Sequence, residues 1–233
     1  MAAGCLLDGG GDFNLYCDVV NMKPYYQDSA VTIYHGDCRE IVPNLGRFDL
    51  LLTDPPYGIG ECSKKNESRG NLASPKNYGF FNWDTKKIEI ETILFFIGTC
   101  KYSLIWGGNY YNLPPCVGPL IWDKESSGDF ADGEMGWNNY GSALRIKRHM
   151  WNGMIRKNNE DRNHPTQKPI DVISWGISLC PFNAQTILDP FAGSGTTGRA
   201  AKDLNKTAVL IEKEEQYCEI AALRMAQEVL SLS

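Results

Sequence analysis

Two short stretches of this sequence hold residues whose types and spacing could do chemistry. The first is Asp54-Pro55-Pro56-Tyr57. Each proline lacks an N–H and fixes its own φ, and each pushes the residue before it into extended backbone. The bracket should therefore present the Asp54 carboxylate and the Pro55 carbonyl as two fixed acceptors with no donor competing for them, with Pro56 stiffening the exit. Two acceptors suit an NH2 group, and Tyr57 adds an aromatic face on which a planar ring can stack. An amine on a ring such as adenine or cytosine is a poor nucleophile, because its lone pair is delocalised. Hydrogen bonds from both N–H groups draw the nitrogen towards a pyramidal state and return the pair for attack on an electrophilic methyl carbon. That chemistry rests on positioning and preorganised acceptors and asks for no metal and no covalent enzyme intermediate.

The second stretch is Thr186-Ile187-Leu188-Asp189-Pro190-Phe191-Ala192-Gly193-Ser194-Gly195-Thr196-Thr197-Gly198. It reads as a strand, a glycine turn and the start of a helix, whose free N–H groups and partial positive charge suit a carboxylate or phosphate. The next apolar run ends on Glu212, 19 residues after Gly193, where an acid can accept from both hydroxyls of a ribose. A nicotinamide dinucleotide would satisfy the same pattern. Only 21 residues follow Glu212, however, whereas a dinucleotide fold needs several strands after its fingerprint. The missing strands must come from earlier in the chain, which describes a circularly permuted nucleoside-binding fold. The ligand it suits has a ribose and a carboxylate and no pyrophosphate.

The elements that must position these residues alternate. Strands are expected over Val31–His35, Phe48–Thr53, Tyr102–Trp106, Leu120–Trp122, Ala143–Trp151, Thr186–Leu188 and Thr207–Ile211, from short β-branched or apolar runs bounded by turn formers. Helices are expected over Lys86–Thr99, Pro169–Leu179, Thr196–Leu204 and Glu214–Leu230. This order implies an α/β fold with a doubly wound, mostly parallel sheet. Residues 58–84 and 123–141 resist assignment, and loops of that length in a compact domain are functional or disordered. Gly107-Gly108-Asn109 should form a close turn beside Asp54, with Trp106 in the core.

At 233 residues and 42% hydrophobic content, the chain suits a single domain with one sizeable core. Residues 1–22 lack a basic start and read as a flexible leader, leaving a domain over 23–233. No apolar window is long enough to span a bilayer. The eight cysteines are scattered without metal-ligand spacing, as expected of reduced thiols in a cytoplasmic protein. The net charge of −5 argues against non-specific coating of nucleic acid. Between Arg145 and Lys168, though, seven basic residues face two acidic ones, a local basic face suited to a polyanion.

The order of Asp54-Pro55-Pro56-Tyr57, then His164-Pro165-Thr166-Gln167-Lys168-Pro169, then Asp189-Pro190-Phe191-Ala192-Gly193-Ser194-Gly195 resembles the beta class of DNA amino-methyltransferases. There the catalytic motif precedes the cofactor motif on a permuted, Rossmann-like class I methyltransferase fold. The likeness runs from about Lys23 to Leu230. It implies S-adenosylmethionine as cofactor and a flipped base in duplex DNA as substrate, with N6 of adenine favoured over N4 of cytosine by aspartate at the head of the tetrad. It assigns Asp54, Pro55, Pro56 and Tyr57 to the base. Asp189, Pro190, Phe191, Gly193, Gly195 and Thr196 go to the methionine part, and Glu212 to the ribose. Asp37 would meet the adenine of the cofactor, although a helix N-cap explains it equally well. Thr166 or Lys168 would meet the cofactor carboxylate, with Pro169 in the first helical turn.

Charge and position mark the expected DNA contacts. Lys64, Lys65, Arg69 and Lys76 sit in the loop 58–84, and Arg145, Lys147, Arg148, Arg156 and Lys157 lie in a short target-recognition region over 123–163. So short a recognition region predicts a short target sequence or a homodimer, which is common in the family. A cognate restriction endonuclease is a further candidate partner, and the compact size and leader suit a prophage or restriction–modification setting. A non-catalytic nucleotide- or DNA-binding regulator on the same scaffold is the competing reading.

Overall fold

A computed structural model describes residues 22–58, 87–125, 131–151 and 167–227. Nine strands form one sheet among these residues: β1 (Tyr26–Gln27), β2 (Val31–His35), β3 (Phe48–Thr53), β4 (Cys100–Trp106), β5 (Leu120–Asp123), β6 (Gly133–Asn138), β7 (Arg145–Arg148), β8 (Thr186–Asp189) and β9 (Thr207–Glu212). Their order across the sheet is β1-β2-β9-β8-β3-β4-β6-β5-β7. The five central strands from β2 to β4 run parallel. Leu50-Leu51-Leu52 of β3 and Val209-Leu210-Ile211 of β9 run without polar alternation because both faces of the sheet are covered there.

Alternation along each strand sorts the core into two layers. Leu50, Leu52, Leu104, Trp106, Ile187 and Leu210 point to the face covered by α3 (Ile170–Leu179), α4 (Thr196–Asp203) and α5 (Glu215–Ala226). Leu51, Ile105, Leu188 and Ile211 point to the face covered by α1 (Cys38–Ile41) and α2 (Ile90–Thr99). The connection from β8 to β9 thus passes over one face through α4, and that from β3 to β4 over the other through α2. Adjacent strands β8 and β3 leave in opposite directions, which opens a crevice at their carboxyl ends. Asp189 and Asp54 stand at its two sides.

Several boundaries differ from expectation for identifiable reasons. Residues 133–138, inside a stretch that reads as loop, form β6. Its glycines are there for close approach: a Cβ on Gly136 would stand 2.9 Å from Leu104 Cδ1, and one on Gly133 2.6 Å from the Trp122 carbonyl oxygen. β6 is antiparallel to both β4 and β5. β7 is only Arg145–Arg148, shorter than the expected Ala143–Trp151. α1 stops at Ile41 and continues as a 3-10 turn through Pro43, which supplies no N–H to a longer helix. α2 starts at Ile90 rather than Lys86. Pro169 is the extended N-cap of α3, not a residue of its first turn. No helix among the described residues is long and apolar enough to cross a membrane.

Candidate active site

The two motifs meet directly. Thr53, the last residue of β3, donates its hydroxyl to Asp189 Oδ1 at 2.9 Å. The residue after it, Asp54, is held by two donors: the Tyr57 hydroxyl on one carboxylate oxygen and the Lys168 ammonium on the other. This corrects two expectations. The proline bracket removes backbone N–H groups, yet side chains supply the competing donors. Lys168 also turns to Asp54 rather than standing apart for a cofactor carboxylate, because it is buried and needs a counter-charge close by.

Lys168 has a second carboxylate that no motif announces. Glu134 Oε2 lies 3.0 Å from its Nζ, and Glu134 Oε1 lies 2.6 Å from Lys124 Nζ. β6 runs against its neighbours, so its beginning, not its end, reaches the carboxyl edge of the sheet and carries Glu134 there. Burial works against the Lys168 charge, but Asp54 and Glu134 outweigh it and hold its pKa above the ordinary lysine value. Burial also opposes the Glu134 charge, and Lys168 and Lys124 overcome that, bringing Glu134 down to about 2. On Asp54 burial prevails over the pull of Lys168 and raises the carboxyl.

The loop after β4 braces the bracket from outside. Gly107 adopts φ +65°, a left-handed conformation that favours glycine. Tyr110 stacks on Tyr57 with ring centroids 4.6 Å apart and planes 18° from parallel. The Tyr111 hydroxyl donates to the Pro56 carbonyl at 2.6 Å. The close turn foreseen at Gly107 is therefore present, while the roles of Tyr110 and Tyr111 carried no sequence signal beyond adjacency to it. Trp106 is fully buried in the core and also forms part of the cavity wall beside Lys168.

A cavity of about 620 Å3 runs along the carboxyl ends of the parallel strands, with Asp54 at one end and Asp37 and Glu212 at the other. That is within the usual range for a cofactor site. Asp189, Pro190, Phe191, Gly193 and Thr196 line it, as do Lys168 and Pro56. Gly195 does not belong with them. Its φ is +78°, and a Cβ there would stand 2.8 Å from that of Ala221, so this glycine serves the packing of the loop on α5. Gly193 N–H donates to Glu212 Oε2 at 2.8 Å, and Glu214 N–H to Oε1 at 2.9 Å. The Lys213 N–H also reaches this carboxylate, which keeps lone-pair room for a ligand hydroxyl. Asp37 is an N-cap, accepting from Arg39 N–H at 3.0 Å and pairing with the Arg39 guanidinium, and it also borders the cavity.

The donor set suits a nucleoside carrying a charged amino-acid tail: an acid for ribose hydroxyls, a glycine turn against the sheet edge, and carboxylates for a cation. Beneath the loop, Arg224 of α5 donates to the Ser194 carbonyl at 3.0 Å and to Thr196 Oγ1 at 3.2 Å, fixing the turn from behind.

Asp189 is buried and accepts from Thr197 Oγ1 at 2.5 Å and Phe191 N–H at 3.1 Å besides Thr53. Burial outweighs these donors and lifts its carboxyl from 3.8 to about 6. A folded-state pKa above the unfolded one adds stability below about pH 4 that is lost as the pH rises through about 6, a difference of about 3 kcal/mol. Thermal unfolding midpoints followed from pH 4 to 7 should therefore fall less steeply in Asp189→Asn than in the parent chain. Parallel curves would refute the shifted carboxyl.

The residues expected to meet DNA are only partly brought together. Arg145, Lys147 and Arg148 lie on β7, four strands from β3, roughly 19 Å at the usual strand spacing. Alternation puts Arg145 and Lys147 on one face and Arg148 on the other, where its guanidinium lies 3.4 Å from Asp123. Lys64, Lys65, Arg69, Lys76, Arg156, Lys157, His164 and Thr166 lie outside the described residues.

Comparison with known proteins places this geometry. Residues 73–223 match the model of a DNA methylase family whose name covers N6 and N4 methyltransferases. The type II methyltransferase M2.LlaDCHI of Lactococcus lactis subsp. cremoris is 39% identical, covering 90% of this chain and 94% of the relative. M2.DpnII of Streptococcus pneumoniae is also 39% identical, over 91% and 96%. Among solved structures, the cytosine-N4-specific PvuII DNA methyltransferase superposes with a TM-score of 0.59 at 16% identity, covering 91% of this chain and 92% of that one. The latter likeness is one of fold. With the Asp-Pro-Pro-Tyr bracket, the glycine loop and the permuted order all in place, the chain belongs to the N6/N4 DNA methylase family.

Proposed function

We infer that this DNA methyltransferase acts on the exocyclic N6 amine of adenine in duplex DNA after the base has been flipped out. The observation that carries the reading is that one continuous cavity joins the ribose-type acid Glu212 to the amine acceptor Asp54. S-adenosylmethionine, the cofactor of the family, supplies a methyl group on a positively charged sulfur. Glu212 holds its ribose, Asp37 the adenine end, and Gly193, Phe191 and Thr196 the methionine part, with Asp189 bracing the loop. Thr166, in the stretch ahead of α3, is assigned to the carboxylate.

At the other end of the cavity, Asp54 and the Pro55 carbonyl accept from the amine, and Tyr57 lies against the ring of the base. Each carboxylate oxygen has two lone pairs, so Asp54 takes the amine hydrogen alongside Tyr57. Asp54 and the Pro55 carbonyl would thereby expose the nitrogen lone pair to the methyl carbon that the cofactor would supply, its thioether leaving with the former C–S pair. An N–H proton then leaves the amine towards Asp54.

Aspartate at the head of the tetrad supports adenine, and because a base inside a duplex cannot offer its amine to Asp54, the target must be flipped out at a cost of a few kcal/mol. Lys64, Lys65, Arg69, Arg156 and Lys157, with Arg145, Lys147 and Arg148 on β7, are assigned to phosphate and base-edge contacts, and target recognition to the part of 123–163 outside β6, which belongs to the sheet. The names of the relatives, type II methyltransferases, support a restriction–modification setting with a cognate endonuclease.

Purified protein incubated with S-adenosylmethionine and mixed-sequence duplex DNA should yield N6-methyladenine on digestion to nucleosides and mass spectrometry. N4-methylcytosine instead would keep the mechanism and overturn the choice of base. No methylated base on competent DNA would leave the binding-only regulator.

A further inference from the structure

Glu134 lies outside every motif of this chain, yet it touches the reaction centre through one intermediary. Lys124, Glu134, Lys168 and Asp54 alternate in sign along a continuous run of ion pairs that ends at the Tyr57 hydroxyl. The Lys168 side chain is 6% exposed, and those of Lys124, Asp54 and Glu134 are 19%, 24% and 25% exposed. The ammonium sits between two carboxylates and has three donors to divide between them.

Methyl transfer as read above requires Asp54 to accept from the substrate amine while Lys168 already occupies one of its oxygens. An ammonium with Asp54 as its only counter-charge would hold that oxygen tightly, since leaving a buried charge unpaired is strongly unfavourable. With Glu134 on its other side, the ammonium stays paired while Asp54 turns towards the amine. Lys124 fixes Glu134 from behind at 2.6 Å. The geometry points to Glu134 as a positioning residue for methyl transfer, which holds Lys168 between two carboxylates so that the Asp54 oxygens can pass to the amine. This rests on the reading of Asp54 as the amine acceptor.

The groups facing Asp54 predict a signature that a merely structural role would not produce. They are Lys168 ahead of α3, Glu134 on β6, Asp189 on β8 and Tyr57 of its own loop, with Lys124 behind Glu134. In Glu134→Gln, Lys168 turns wholly to Asp54 and a repelling charge is lost, so Asp54 stays ionised to lower pH. In Lys168→Met, Asp54 faces Glu134 without relief and protonates at higher pH.

The test is single-turnover transfer of labelled methyl from S-adenosylmethionine to mixed-sequence duplex DNA, run across pH for the parent chain, Glu134→Gln, Glu134→Asp and Lys168→Met. Glu134→Gln should slow transfer roughly 100-fold, the scale of a small misplacement of a reacting group, with the cofactor dissociation constant unchanged. Its acid limb should move to lower pH and that of Lys168→Met to higher pH, and Glu134→Asp should recover most of the rate. Lys124→Gln, which leaves all three inner charges in place, guards against a Glu134→Gln chain that does not fold and should show a several-fold loss. Parental rates in Glu134→Gln and Lys124→Gln, limbs that move the same way, or a loss confined to cofactor affinity would each overturn the assignment. Transfer to cytosine in the parent chain would revise the base alone and leave the pair standing. A parent chain inert on all DNA would overturn the reading of Asp54 and this inference with it.

Discussion

Asp54→Ala should transfer methyl groups at less than about a thousandth of the parental rate while still binding S-adenosylmethionine. Loss of one preorganised charge-stabilising group costs two to three orders of magnitude in comparable sites, and Asp54 also fixes Tyr57 through its hydroxyl. Glu212, Gly193 and Phe191, assigned above to the cofactor, lie at the end of β9 and in the loop after β8, so binding should survive. Stability should fall by about 1–3 kcal/mol, because Lys168 loses one counter-charge but keeps Glu134 at 3.0 Å. Asp54→Asn preserves volume and should be equally inactive, since its NH2 offers a donor where the amine also donates. The measurement is methyl incorporation into DNA beside calorimetric cofactor binding. Retention of a tenth of the parental rate by either variant would remove Asp54 from the chemistry.

Gly107→Ala should also be strongly damaging although residue 107 touches no reacting atom. A Cβ there would stand 2.1 Å from Tyr57 Cε1 and 2.2 Å from its Cζ, closer than any real contact. The ring must move, and with it both its stack on Tyr110 and its hydroxyl on Asp54. Moving a catalytic group by about 1 Å costs about 100-fold, and the left-handed φ of +65° adds about 1–2 kcal/mol for any residue with a Cβ. We expect a roughly 100-fold loss in kcat with unchanged cofactor affinity and a modestly lowered Tm. Gly46→Ala, with nothing within 4 Å of its added carbon, is the matched control. An active Gly107→Ala protein would show that Tyr57 is free to stack elsewhere.

The parts of this site that local pattern encodes were legible in the sequence. β2 and β3 fall at Val31–His35 and Phe48–Thr53 as their apolar runs predict, and the acid just after β3 stands with those that end β8 and β9 because parallel strands share one carboxyl edge. β6 was hidden for the opposite reason. Gly133 and Gly136 read as loop punctuation, whereas they admit Trp122 and Leu104 against the backbone. With β6 unread, Glu134 had no address, and Lys168 was left with the cofactor as its only visible partner. Gly195 shows a second limit: spacing identifies a glycine turn but not which glycine faces the ligand and which faces Ala221. A charged side chain states its sign in sequence, and only the sheet states its neighbour.

The pairing of β3 with β8 sets Leu50 beside Ile187 and lets Asp49 accept from Thr186 N–H across 137 positions. β2 closes on β9, and Asp28 meets Lys202 across 174. Contacts this distant in sequence close slowly, because the entropy of the intervening chain must be given up before they form. During synthesis the tetrad leaves the ribosome long before the glycine loop and Glu212. A nascent chain therefore carries a complete Asp-Pro-Pro-Tyr segment with no floor beneath it, and catalytic competence arrives late and all at once, when the last strand slots between β2 and β8.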